Sequence, residues 1–258
     1  MLTTLATWNV NSLKVRLPRV LELLNQHQPD VLLMQETKSA ADAFPFSQLA
    51  EAGYEAVDHS AGQWAGVAVA ARAGLRLGEP TRGLTDEPDP AEARWIEVEV
   101  DGVRVISLYV PNGRAVGTEP FEAKLAFLDA ARARLAALAG SPLIVAGDFN
   151  VAPADADVYD PAAFVGDTHV TAEERERLAA LLSDGELVDA YRALHSGEPG
   201  FTWWDYRQGH FHRGLGMRID LVLVDPATAS RLESCGIDRN YRKGPKPSDH
   251  APLLAALH

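Results

Sequence analysis

Apolar residues recur along the chain with two periods, one near 3.6 and one of two, and together they lay out a succession of helices and strands. Leu17, Val20, Leu21 and Leu24 fall at i, i+3, i+4 and i+7, which predicts a helix over 13–27 with Pro18 tolerated near its start. Val31–Gln35 and Gly66–Ala71 are short and almost wholly apolar, so both read as buried strands. Over 94–100 the pattern switches: Ile96, Val98 and Val100 alternate with Glu97 and Glu99, and Asp101-Gly102 offers a tight turn into Val103–Tyr109. Antiparallel pairing is expected there. Phe121, Leu125, Leu128, Leu135 and Leu138 mark a long amphipathic helix that stops at Gly140, and a strand follows over 142–147. Helices near 172–183 and 186–195 precede strands at 219–224 and 252–257. Strands alternating with helices predict a layered α/β fold, and no linker rich in Pro, Gly or Ser divides the chain, so residues 1–258 are expected to form one catalytic domain.

Composition narrows the class. Hydrophobic residues make up 47% and charged residues 23% of the 258, as in ordinary globular proteins. A single cysteine, Cys235, rules out an internal disulfide and any metal site built from several thiolates. The amino terminus lacks a basic segment followed by an apolar one, and no apolar run reaches membrane-spanning length, so a cytoplasmic protein with no membrane partner is expected. The net charge of −12 argues at first against a nucleic-acid partner. Its distribution changes that picture. Residues 79–101 hold eight acidic and two basic side chains, and 148–189 hold eleven and two, whereas 201–258 hold eight basic against six acidic ones. Arg239, Arg242, Lys243 and Lys246 cluster in that last stretch, leaving room for one basic face.

The chemistry sits where strands end. Runs that look like strands finish in Trp8-Asn9-Val10-Asn11, Gln35-Glu36-Thr37, Tyr109 to Asn112, Gly147-Asp148-Phe149-Asn150, Arg218-Ile219-Asp220 and Ser248-Asp249-His250. Taken singly, Asp148 could be a turn residue, Glu36 a solvated strand end and Asp220 a partner of Arg218. Six strand ends carrying groups suited to one reaction are harder to assign to turns alone. Glu36, Asp148, Asp249 and Asn9 are hard oxygen donors of the kind Mg²⁺ or Mn²⁺ takes. His250 could donate to a phosphate oxygen if a carboxylate such as Asp220 fixes its tautomer. That set describes metal-assisted hydrolysis of a phosphoester.

The same ordered motifs, with Phe201-Thr-Trp203-Trp204 and the stretch leading into Met217, resemble the endonuclease/exonuclease/phosphatase superfamily, and within it the exonuclease III and apurinic/apyrimidinic endonuclease branch. The resemblance runs from residue 3 to 257. It implies a four-layer αββα sandwich, two packed mixed sheets flanked by helices, with the site between the sheets at one end. It implies Glu36 as principal metal ligand with Asn9 nearby and Asp249 serving the same or a second ion; Asp148 orienting or deprotonating water; and Asn150 holding water and phosphate. Tyr109 and Asn112 would contact the phosphate, and Asp220 and His250 would form a carboxylate–imidazole pair. It further implies a monomeric DNA-repair nuclease that acts on duplex DNA at 3′ ends and abasic sites, and so associates with the nucleoid through its substrate. An extruded abasic sugar needs an apolar pocket too tight for a base, and Trp203, Met217 and Ile219 are expected to line it. Arg242 and Lys243 are expected to anchor DNA phosphates. The rival reading is a superfamily phosphatase or phospholipase acting on small phosphoesters.

Overall fold

The computed structural model describes residues 1–258. The chain begins with β1 (Thr4–Asn9), α1 (Leu13–His27), β2 (Val31–Gln35), α2 (Phe46–Glu51), β3 (Tyr54–His59) and β4 (Val67–Arg72). It continues through β5 (Thr81–Arg82), β6 (Trp95–Val100), β7 (Val103–Tyr109), α3 (Glu119–Ala136) and β8 (Leu143–Asp148). The last part contains α4 (Ala172–Asp184), β9 (Val188–Asp189), α5 (Ala190–Leu194), α6 (His210–Arg213), β10 (Asp220–Val224), α7 (Pro226–Ala229), β11 (Leu232–Ile237) and β12 (Leu253–Leu257). Two six-stranded sheets result, ordered β11-β12-β1-β2-β4-β3 and β5-β6-β7-β8-β10-β9. Both are mixed: β1 with β2 and β7 with β8 run parallel, while their other neighbours run antiparallel. No helix is long and apolar enough to cross a membrane.

The alternation along each strand sorts side chains into layers. Leu5, Val31, Leu33, Val67 and Val69 of the first sheet share one core with Ile96, Val98, Val105, Ile144 and Val222 of the second. Their neighbours point outward: Ala6, Trp8, Leu32 and Met34 meet Val20, Leu23 and Leu24 of α1. On the far side, Ile106, Leu108, Val145 and Leu221 meet Phe127, Leu128 and Leu135 of α3 and Leu178 and Leu181 of α4. Strands covered on both faces must be apolar at every position, which is why β2, β4 and β8 lack polar alternation. The expected four-layer sandwich of two mixed sheets between helices is what the chain forms.

Several local expectations need amendment. The helix expected over 186–195 is instead the two-residue β9 followed by α5, because Asp189 accepts a hydrogen bond from Arg192 N (3.1 Å) and so starts the helix only after itself. The regular part of α3 ends at Ala136, with a turn leading to Gly140 at φ 78°. The Asp101-Gly102 hairpin forms as expected, with both residues at positive φ (51° and 84°) and Val100 opposite Val103.

Candidate active site

Sheet direction explains why the polar strand ends meet. Parallel strands bring like ends together, so Asn9 stands opposite Gln35, which precedes Glu36, and Tyr109 stands opposite Asp148. Antiparallel strands bring a start to an end, so Asp220, the first residue of β10, stands opposite Asp148. His250 precedes β12, which pairs antiparallel with β1, and therefore arrives at the same edge. Residues spread from 9 to 250 thus converge between the two sheets.

The Asn9 amide joins the two carboxylates, its Nδ2 donating to Glu36 Oε1 (2.8 Å) and to Asp148 Oδ2 (2.9 Å). His250 Nδ1 lies 2.8 Å from Asp220 Oδ2, and its Nε2 lies 3.7 Å from Asp148 Oδ2. Burial alone would favour the neutral imidazole, but the Asp220 and Asp148 carboxylates outweigh it and hold His250 up at about 10. Burial pushes Asp148 up to about 7, opposed by His250 and reinforced by the nearby charges of Asp220 and Glu36. Burial also carries the Tyr109 hydroxyl well above its ordinary value, with Glu36 and Asp148 adding to the effect, so it stays a hydrogen-bond donor. Arg94 lies over the Tyr109 ring at 4.6 Å.

Glu36, Asp148 and His250 present ligand atoms that all lie within 4.8 Å of one another. Three carboxylates crowd this volume, and the buried Asp220 Oδ1 has no hydrogen-bond partner. A divalent cation preferring oxygen donors fits such a set, because it would offset charge that the His250 imidazole, the Lys38 ammonium and one Asn amide only partly balance. Glu36 is also approached by Lys38, whose Nζ lies 2.7 Å from Glu36 Oε2 and donates to Asn11 Oδ1 (2.7 Å).

The other expected site residues divide. Asn150 adopts a left-handed backbone (φ 50°), which lets its N donate to Asp148 Oδ1 (2.9 Å) while its Nδ2 donates to Val110 O (2.9 Å). Asn112 Nδ2 reaches Asn150 Oδ1 at 3.4 Å, so the two asparagines form one wall. Beside it opens a cleft of about 490 Å³ whose lining includes Trp64, Arg94, Tyr109, Asn112 and Arg114. Asp249 is not in the group that meets around Glu36: its two oxygens accept from Asn11 Nδ2 (2.9 Å) and Trp203 Nε1 (3.1 Å). Asp249 thus holds Asn11 and Trp203 beside the cluster. Asp220 is paired with His250, while Arg218 binds Asp157 and Asp189.

Two expectations are corrected. Met217 and Ile219 are buried in a small cluster with Ala152 and Val158, against which the partly exposed Trp203 packs. Both are almost fully covered (3% and 2% exposed), so of the three expected lining residues only Trp203 is partly exposed. Arg242 is buried as well: its guanidinium donates to Trp204 O (3.2 Å) and Ser248 O and lies among the rings of Trp204, Tyr206 and Phe211. A guanidinium so enclosed cannot anchor an external phosphate. Lys243, in contrast, is exposed, and its ammonium donates to Asn240 Oδ1 (3.1 Å).

His169 carries no signal in the sequence, since it lies in a polar loop with no strand to end and no motif to mark it. Its Nε2 is 3.1 Å from both Asn150 Oδ1 and Asn112 Nδ2. Burial, with the Lys124 charge, pulls it down to about 3, so the ring is neutral.

Comparison with known proteins agrees with this geometry. The model of the endonuclease/exonuclease/phosphatase family matches residues 6–250. Exodeoxyribonuclease III of Haemophilus influenzae is 31% identical over 271 aligned positions, covering 96% of this chain and 97% of the relative. Among solved structures, the 3′ phosphatase NExo from Neisseria bound to product DNA hairpin superposes with a TM-score of 0.95 at 38% identity, covering 99% of each chain. An AP endonuclease from Archaeoglobus fulgidus gives 0.94 at 35% identity, covering 100% of this chain and 99% of its own.

Proposed function

The chain belongs to the endonuclease/exonuclease/phosphatase family, and we propose that it is a divalent-metal-dependent DNA-repair nuclease of the exonuclease III type that hydrolyses phosphate esters of duplex DNA. The observation that carries this reading is the convergence of Glu36, Asp148 and His250, ligand atoms within 4.8 Å, from strand ends of both sheets. Residues 1–258 are proposed to act as a single catalytic domain, since the groups that meet in the site come from positions as far apart as 36 and 250. The names of its relatives are those of DNA nucleases and of a 3′ phosphatase bound to DNA, which disfavours the small-phosphoester alternative.

Glu36 and Asp148, both oriented by Asn9, would hold a Mg²⁺ or Mn²⁺, which would supply charge to offset that of the phosphate. Asp148 orients the attacking water and takes its proton. His250, kept charged by Asp220, donates from Nε2 to a phosphoryl oxygen. The Tyr109 hydroxyl and the Asn112–Asn150 wall fix the remaining phosphate oxygens.

Both chemistries that its relatives' names describe, 3′-end hydrolysis and incision at abasic sites, are proposed, with the first leading. Met217 and Ile219 are packed against Ala152 and Val158, so an extruded sugar would have to open that cluster, whereas a 3′ terminus does not need it. Exposed Lys243 is proposed to meet a flanking phosphate. The test is a duplex ending in 3′-phosphate, a recessed 3′-hydroxyl duplex and a duplex with one abasic analogue, each incubated with Mg²⁺. Release of phosphate or nucleotides from the first two supports the reading, and hydrolysis of an inositol phosphate with all three duplexes intact overturns it. Asp148→Asn should abolish hydrolysis and leave DNA affinity in place.

A further inference from the structure

Behind the asparagine wall lies a buried ion pair that takes no direct part in the hydrolysis. Lys124 extends from the first turns of α3 and is 0% exposed. Its ammonium, with three hydrogens to donate, has four acceptors within reach: Asn150 O (2.6 Å), Asn112 O (3.2 Å), Thr168 Oγ1 (3.1 Å) and a Glu174 carboxylate oxygen. That same Glu174 Oε1 accepts from Thr168 Oγ1 (2.7 Å) and His169 N (2.9 Å), while Oε2 accepts from Thr171 N (3.0 Å) and Thr171 Oγ1 (2.8 Å). One ammonium and one carboxylate therefore tie together the start of α4 and three loops, those of residues 112, 150 and 168.

Two of the loops contain a backbone conformation that residues with a Cβ avoid, Asn150 at φ 50° and His169 at φ 82°, and the third turns at Gly113 (φ 85°), where glycine takes the left-handed region freely. The glycine is matched to the lysine: a Cβ at Gly113 would stand 2.9 Å from Lys124 Cδ and 3.1 Å from Thr168 Oγ1. Burying two charges is an expensive way to join loops, and an apolar pair of similar volume commonly serves stability as well or better. What an apolar pair cannot do is grip two main-chain carbonyls beside two functional side chains.

We infer that Lys124, with Glu174, is a positioning residue for hydrolysis, aiming the Asn112 and Asn150 amides and the His169 ring at the phosphate through the loop carbonyls it holds. The inference rests on the proposed function, in which those asparagines meet the phosphoryl group.

Lys124→Met alone leaves Glu174 charged and unpaired, so the informative variant is Lys124→Met with Glu174→Gln, which removes both charges. The double variant should fold, show parental DNA affinity in EDTA and a parental KM, and lose roughly 10–100-fold in kcat on the 3′-phosphate duplex, the scale set by small misplacements of catalytic groups. Asn150→Ala should then cost much less in the double-variant background than in the parent, since the amide is already misplaced. A folded double variant with parental kcat, or an Asn150→Ala penalty equal in both backgrounds, overturns the inference. An Asn150→Ala that costs the parent nothing overturns the reading beneath it. If the double variant fails to fold, Gly113→Ala serves instead by pressing on the lysine stem: lower kcat at parental KM supports positioning, and a folded Gly113→Ala with full kcat refutes it.

Discussion

Arg242→Met tests whether the basic cluster before His250 braces the fold or binds DNA. The guanidinium gives charged hydrogen bonds to two buried carbonyls, Trp204 O and Ser248 O, each bond contributing about 1.5–3 kcal/mol. Three aromatic rings within 5.2–5.9 Å add about 0.5–1 kcal/mol apiece. Against this stands the desolvation that methionine avoids: burial pulls the Arg242 guanidinium down, and its Nε has no partner. The balance is a loss of about 3 kcal/mol, which for a chain of this size lowers Tm by roughly 6–12 °C. Urea and thermal unfolding followed by circular dichroism read that loss. Fluorescence anisotropy on a labelled duplex across salt concentrations reads the second half of the argument: the slope of log K against log salt should stay parental for Arg242→Met. Lys243→Glu, on an exposed side chain, should reduce that slope by about 0.9 for each phosphate the lysine neutralises and leave Tm in place. A stable Arg242→Met with a reduced slope would show the guanidinium reaching phosphate in solution, and the bracing role would be refuted.

Three further outcomes follow from the geometry. Adding Mg²⁺ to EDTA-treated protein should raise Tm by an amount that grows with concentration, about 2.7 kcal/mol of stabilisation at a hundred times Kd, and Glu36→Gln should remove most of it; an unchanged Tm with Mg²⁺ would contradict the metal site. Gly147→Ala should fail to fold or lose several kcal/mol, because its Cβ would sit 2.0 Å from Leu108 O in the β7–β8 pairing, where backbone cannot step aside; soluble expression and Tm decide it. Burial raises the Asp30 carboxyl, but hydrogen bonds from Thr3 and Thr4 and the Arg72 charge together bring it below its ordinary value. A depressed folded-state pKa adds stability above the unfolded value of about 3.9 and loses it as pH falls through the folded one. Asp30→Asn should therefore lower Tm at pH 7, and the loss should shrink steadily as pH falls below the unfolded value, so that a loss unchanged across acid pH would rule out the charged form as the stabilising one.

The sequence by itself determined the layered fold, most of its strands and helices, and the set of polar groups at strand ends, because strands buried on both faces need unbroken apolar runs and any polar residue closing one stands out. It missed β3 and β11, which lie at a sheet edge and carry mixed polar and apolar positions. The Asp220–His250 pair forms as expected, but only the tertiary structure decided that Asp249 holds Trp203, that Arg242 points inward, that Met217 and Ile219 pack against Ala152 and Val158, and that Lys124 stands behind the asparagines. Periodicity reports the face on which a side chain lies. Its partner is set by strand register and by which charges the packing removes from water, and those depend on segments as far apart as residues 9 and 250.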